Sequence, residues 1–201
     1  MTGIISSNPA RTSGLIKAAS GGGGTWTKIA TSTASSSANI SFTSDIDSTY
    51  PIYCFEFINV HPATDNINFE VNFRDGSSAF DAPKTTTFFR AYHNESTDNY
   101  NFQYRTGDDL ANGTGVQALG PCGNDNDQCI SGYLFLYSPS STTYVKHFIA
   151  NTNVAEEDDH TVHSFISGYC NVTAAIDGIQ FTMASGNIDS GLFKMYGIKD
   201  S

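Results

Sequence analysis

Ile52-Tyr53-Cys54-Phe55-Glu56-Phe57-Ile58-Asn59-Val60, His61-Pro62-Ala63-Thr64-Asp65-Asn66 and Ile67-Asn68-Phe69-Glu70-Val71-Asn72-Phe73 follow one another without interruption. The first run is nearly continuously apolar, the pattern of a central strand buried on both faces. The second is rich in turn residues. The third alternates strictly, with Phe69, Val71 and Phe73 pointing one way and Asn68, Glu70 and Asn72 the other. Strand, turn, strand is therefore the local reading, and Arg74-Asp75-Gly76-Ser77-Ser78 supplies the next turn.

The same grammar extends in both directions. Strands are expected at Trp26 to Thr31, followed by a Ser/Ala loop at 32–37, and at Asn39 to Thr43 and Thr85 to His93. Residues 94–128 read as polar loop, with a shorter strand at 100–104. Ile130 to Tyr137 and Thr143 to Ala150 form a hairpin across Ser138-Pro139-Ser140-Ser141. Thr161 to Val172, Ile176 to Met183 and Leu192 to Ile198 follow, the last behind the turn Ser185-Gly186-Asn187. About ten strands at short turn intervals and no helical period predict an all-β fold, an antiparallel sandwich of jelly-roll or concanavalin-like type.

Composition agrees. The 201 residues suit one core, and the 14 Phe and 10 Tyr fit pleated surfaces. Only 15% of residues are charged, below the usual quarter or so. A net charge of −10 excludes the basic footprint that sequence-independent nucleic-acid binding needs, and disfavours anionic lipid. The first residues have no basic and apolar leader pattern, and no apolar run reaches 18 residues, so neither export nor membrane insertion is expected. Synthesis in a cytoplasm is the corresponding expectation.

Residues 1–24 differ from the rest. Ile4, Ile5, Leu15 and Ile16 form short apolar pairs, Arg11 and Lys17 are unopposed by any acid, and Gly21 to Gly24 make a hinge. This segment reads as an extended arm that docks on another protein, with residues 25–201 as the folded domain.

Chemistry-bearing patterns are sparse. Asn124-Asp125-Asn126-Asp127 offers hard oxygens, but the glycine and closing glutamate of an EF-hand are missing, so a plain Asx-rich turn is expected. Glu156-Glu157-Asp158-Asp159-His160 reads as a solvated acidic tip, and His160 and His163 would face opposite ways on a strand. Glu56 and Glu70 show no sign of converging as a carboxylate pair, and no Gly-x-Ser-x-Gly elbow occurs. No enzyme, metal or cofactor is expected. Cys54 and Cys170 read as buried small hydrophobes. The spacing of Cys122 and Cys129 is compatible with a loop-closing disulfide in an oxidising setting or with two free thiols. Tyr100, Phe102 and Tyr104 alternate, so three rings share one face of a strand. They could stack on a sugar or form an oligomer contact, although an edge strand packed on the core is the simpler reading.

Several stretches resemble structural proteins of tailed bacteriophages, especially marine ones, with lectin-like β-sandwich domains. These are Ile52 to Gly76 with its Pro62-Ala63-Thr64-Asp65, Thr85 to His93, Ser140 to Thr152, Ser167 to Phe181, and the closing Gly191-Leu192-Phe193-Lys194-Met195-Tyr196-Gly197. The resemblance spans residues 26–198 and brings no catalytic motif with it. It implies a non-enzymatic virion protein, first a capsid decoration protein anchored to other virion proteins by the arm, alternatively a tail or fibre subunit that binds a host surface glycan. A homo-oligomer, with a trimer favoured, is the assembly expected of such a surface protein.

Overall fold

The computed structural model describes residues 25–96, 98–156 and 159–199. The expected arm and its candidate docking residues Ile4, Ile5, Arg11, Leu15, Ile16 and Lys17 lie outside the described residues. The described chain forms twelve strands: β1 (Thr25–Ser37), β2 (Ile40–Phe42), β3 (Ile52–Pro62), β4 (Ile67–Arg74), β5 (Lys84–Asn94), β6 (Tyr100–Tyr104), β7 (Gln117–Cys122), β8 (Ile130–Tyr137), β9 (Lys146–Glu156), β10 (His160–Cys170), β11 (Gly178–Met183) and β12 (Ile188–Lys199). No helix occurs among the described residues.

All pairings are antiparallel. Eight strands form one sheet in the order β1-β12-β3-β8-β9-β10-β5-β6, and four form a second in the order β2-β11-β4-β7. The sheets meet through aromatic rings. Phe57 of β3 and Phe193 of β12 close on Phe69 of β4 and Phe181 of β11, with centroids 5.2 to 6.1 Å apart. Phe73 of β4 and Phe148 of β9 meet at 4.9 Å. Rings of this size bury large areas and favour tilted or edge-on contacts, so they set how the layers mesh.

The alternation at 67–73 is realised, with Phe69, Val71 and Phe73 fully buried. The expected 130–137 hairpin with its partner is β8 with β9. Three expectations need correction. The Ser/Ala stretch 32–37 is strand, because β12 supplies a ladder up to Ser37 and Ile188. Within the expected loop 94–128 lies β7, which pairs with β4 and is buried almost throughout. Its Gln117 looks polar in sequence, but the side-chain amide donates to the carbonyls of Asp108 and Ala118 and its oxygen accepts from Thr86. Finally, β3 is buried on both faces only at Tyr53, Cys54 and Phe55; Glu56 and Ile58 reach an open face.

Two lysines are built into the core. Lys84 and Lys146 stand opposite Cys170 on either side of β10, and both are fully buried. Lys84 Nζ donates to the Gly115 carbonyl (2.6 Å), and burial lowers its amine to about 8. Lys146 Nζ donates to the carbonyls of Ser141, Tyr144 and Val172. All four cysteines are free thiols.

Close backbone approach decides one glycine. A Cβ at Gly197 would sit 2.3 Å from the Tyr50 ring, so that ring lies flat against β12 only because no side chain intervenes.

Candidate binding face

The eight-stranded sheet has one face on the core and one face that no described element covers. Strand pairing fixes what that outer face carries, because directly opposed residues point the same way. One row crosses the whole sheet: Thr31, Lys194, Glu56, Tyr133, Asn151, Phe165, Phe89 and Tyr104 are successive cross-strand partners. A second row beside it runs Lys28, Tyr196, Cys54, Phe135, Ile149, Ser167 and Thr87. Seven of these fifteen side chains are aromatic or aliphatic, and they alternate with polar groups across the sheet.

The rings fall into two groups. Toward β6, Phe89 stacks on Phe165 (5.1 Å, planes 12° apart) and touches Phe102 at 5.5 Å. Tyr100 stacks on His93, and the Tyr104 hydroxyl donates to Asp109 (2.6 Å), which raises the Tyr104 phenol above its ordinary value. His163 Nε2 donates to Asn151 Oδ1 at 2.6 Å and its ring packs on Phe165. Tyr100, Phe102 and Tyr104 do share one face, as their alternation predicts. That face points to solvent rather than onto the core: Phe102 is 67% exposed.

Toward β1, Trp26 reaches across β12. Its indole meets Phe135 at 6.0 Å and Tyr196 at 5.7 Å, both edge-to-face. Tyr133 packs on Phe135 from the other side. Between them lies a cleft of about 430 Å³ over Cys54, Glu56 and Gly132. Glu56 Oε2 accepts from Lys194 Nζ (3.1 Å) and from the Tyr196 hydroxyl (3.3 Å), and the carboxylate raises the Lys194 amine. Burial pushes the Cys54 thiol up to about 12, so the floor is an inert apolar sulfur rather than a nucleophile.

The other sequence candidates stay apart. Glu56 and Glu70 stand on different sheets. The Asn124–Asp127 turn is tied down by Asn124 N donating to Asp65 and Gln128 N donating to the Asp125 carbonyl. His160 faces inward against Tyr92 and His163 outward, as strand alternation requires. Among the described residues no group of three or more His, Cys, Asp and Glu side chains gathers as a metal site. A polar cavity of about 330 Å³ beyond the strand ends is lined by His93, Glu95, Asp127, Glu156 and His160.

Trp26, Tyr133, Phe135, Phe165 and Tyr196 were not singled out from the sequence. A signal existed for two of them: in Tyr133-Leu134-Phe135-Leu136-Tyr137 aliphatic residues take one parity and aromatic residues the other. Neither a family model, a curated protein nor a solved structure matches the chain.

Proposed function

We propose that this chain is a non-enzymatic structural protein of a virus particle, of the tailed-phage kind its sequence resembles, and that it works by adhesion through the outer face of its eight-stranded sheet. The observation that carries the adhesive part is the uncovered aromatic surface running from Trp26 to Phe102. A protein that needs only to be soluble gains nothing from such a surface, and extended exposed apolar patches mark interaction sites. The virion setting rests on the sequence resemblance, and capsid decoration is its first form. Residues 1–20 would anchor the chain to other virion proteins, and copies would associate with one another, a trimer being favoured. Repetition on a lattice multiplies weak contacts into avidity.

The test is occupancy of particles. Full-length chain should be recovered on purified particles in hundreds of copies, and a chain starting at Thr25 should fold yet fail to attach. A dozen or so copies would move the protein to the tail. Full occupancy by the shortened chain would overturn the anchoring role of the arm.

A second reading, a tail or fibre subunit that binds a host surface glycan, is favoured by the exposed rings of Tyr100, Phe102 and Trp26. Loss of adsorption to host cells on replacing these rings, with particle assembly intact, would select it.

A further inference from the structure

The cleft beside Trp26 has the build of a small-ligand site, and its chemistry narrows the ligand. Its volume of about 430 Å³ lies within the roughly 300–1,000 Å³ typical of such sites. Its apolar surfaces are the half-exposed indole of Trp26 (53%), the ring of Phe135 and the buried sulfur of Cys54. The ring neighbours of Trp26 meet it edge-to-face, so among the described residues no ring is stacked parallel on the indole.

The rim is polar and has bonding capacity to spare. Glu56 uses Oε2 for Lys194 and Tyr196, and among the described residues no donor bonds its Oε1. Lys194 Nζ has three protons and one carboxylate acceptor. Tyr133 stands 41% exposed, and its hydroxyl adds a donor and an acceptor. A purely apolar occupant would strip water from these groups and return nothing, leaving buried polar groups unpaired. A pyranose ring matches the cleft. One of its faces presents C–H groups, which suit the electron-rich face of an aromatic ring, and its edge presents hydroxyls that both donate and accept. Charge decides the rest: Glu56 and Lys194 already neutralise each other, and a chain of net charge −10 repels acidic sugars.

We propose that the cleft formed by Trp26, Tyr133 and Phe135 over Cys54, with Glu56 in its lining and Lys194 ion-paired to that carboxylate, binds a neutral hexopyranose unit of a glycan. Trp26 stacks on the apolar face of the sugar. Glu56 Oε1 accepts from one hydroxyl, and Lys194 and the Tyr133 hydroxyl bond others. The inference builds on the outer face being an adhesive surface. It does not depend on which part of a particle, if any, carries the protein.

Trp26 is the only tryptophan in the chain, so tryptophan emission, excited selectively over the ten tyrosines, reports on this cleft. Purified full-length protein is titrated with neutral methyl hexopyranosides and with short neutral oligosaccharides of glucose, galactose, mannose and N-acetylglucosamine. The expected result is a saturable change in tryptophan emission with at least one of these series, persisting at high salt and absent with hexuronic acids. Tyr133→Ala and Glu56→Gln should each weaken binding by about tenfold, which is ~1.4 kcal/mol. Trp26→Phe should retain measurable binding by calorimetry and Trp26→Ala should lose it. Phe102→Ala, distant on β6, should leave the titration unchanged. Matching thermal melts establish that each variant is folded.

Absence of any saturable response across the series overturns the proposal. So does sugar binding that disappears in Phe102→Ala while persisting in Trp26→Ala, since the site would then lie on β6. An emission change that follows protein concentration, or a synthetic peptide of residues 1–20, in place of sugar also overturns it and gives the cleft to a second copy or to the arm. Failure here with normal attachment to particles would leave the proposed function standing.

Discussion

Phe69 and Phe181 lie parallel across β4 and β11, with ring centroids 5.7 Å apart and planes 12° apart. With Phe42 of β2, which meets Phe55, they bring the small sheet's rings to an aromatic cluster that Phe55, Phe57 and Phe193 complete from the large one. Because Phe181 touches Phe55, Phe57, Phe69 and Phe193, it is the best-connected ring of that cluster. Phe181→Ala should cost about 3–5 kcal/mol in urea unfolding, the sum of lost burial and a cavity that the flanking rings cannot close. Tyr144→Ala, at a site 74% exposed, should change stability by no more than about 0.5 kcal/mol. Equal effects at the two sites would mean that the sheets are not joined as described.

Lys146 gathers three carbonyls, Ser141 and Tyr144 from the β8–β9 connection and Val172 from beyond β10, around one buried ammonium. Lys146→Met keeps the stem and removes the charge, leaving three acceptors without their donor. A loss of about 3 kcal/mol or more is expected. Lys28→Met on the exposed side of β1 should be near neutral. Hydrogen exchange should also rise selectively around 138–145 in the Lys146 variant. An unchanged melt would show that water replaces the ammonium without penalty.

The thiols make a countable prediction. Cys54, Cys122 and Cys170 are buried and Cys129 is half-buried. Native protein should expose one slowly reacting thiol to Ellman's reagent, slow because burial raises Cys129 above the ordinary value. Denatured protein should yield all four without reductant, and melts with and without reductant should coincide. Two thiols missing from the denatured count would reveal a disulfide, with Cys122 and Cys129 as the first pair to test.

Alkaline pH should first help and then harm. Lys84 titrates at about 8 when folded and near 10.5 when unfolded, so over that window the unfolded chain holds more protons and stability rises with pH. Cys54, Cys122, Cys170 and Tyr53 shift the other way, from 9.0 or 10.0 up to about 12, all chiefly through burial. Between those values the folded state keeps protons that the unfolded chain has released, so stability falls. Burial also lowers Lys146 and raises Cys129, so the raised groups still outnumber the lowered ones. Urea midpoints should rise slightly from pH 8 to about 9 and decline steadily above it, and Cys122→Ala should flatten the decline. A midpoint that climbs through pH 10.5 would contradict the burial of these groups.

What could be read in advance depended on whether a segment carries its own pattern. Ile67 to Phe73 alternates, and its strand needed nothing else to be seen. Tyr100, Phe102 and Tyr104 announced a shared face for the same reason. Ser32 to Ser37 has no apolar period, and it is strand only because β12 lies beside it, which is tertiary information. β7 was hidden by Gln117, Gly120 and Pro121, residues that read as loop until the hydrogen bonds of Gln117 are seen. The Trp26 cleft was invisible in principle. It joins residues 26, 54 and 133, which meet only because β12 holds β1 beside β3 and β8, strands distant in sequence.

The pairing of β1 with β12 has a further consequence, in time rather than in space. β12 lies between β1 and β3, so both remain without that neighbour until residues 188–199 have been synthesised. About 150 residues separate the end of β1 from the start of β12. At roughly 5–20 residues per second, the first strand waits on the order of 10 s for its partner. An apolar strand left unpaired that long would seek other chains. Thr25-Trp26-Thr27-Lys28-Ile29-Ala30-Thr31-Ser32-Thr33-Ala34-Ser35-Ser36-Ser37 is mostly hydroxyl-bearing and stays hydrated while it waits. The polar character that disguised the second half of this strand in the sequence is what allows the first strand made to be among the last to pair.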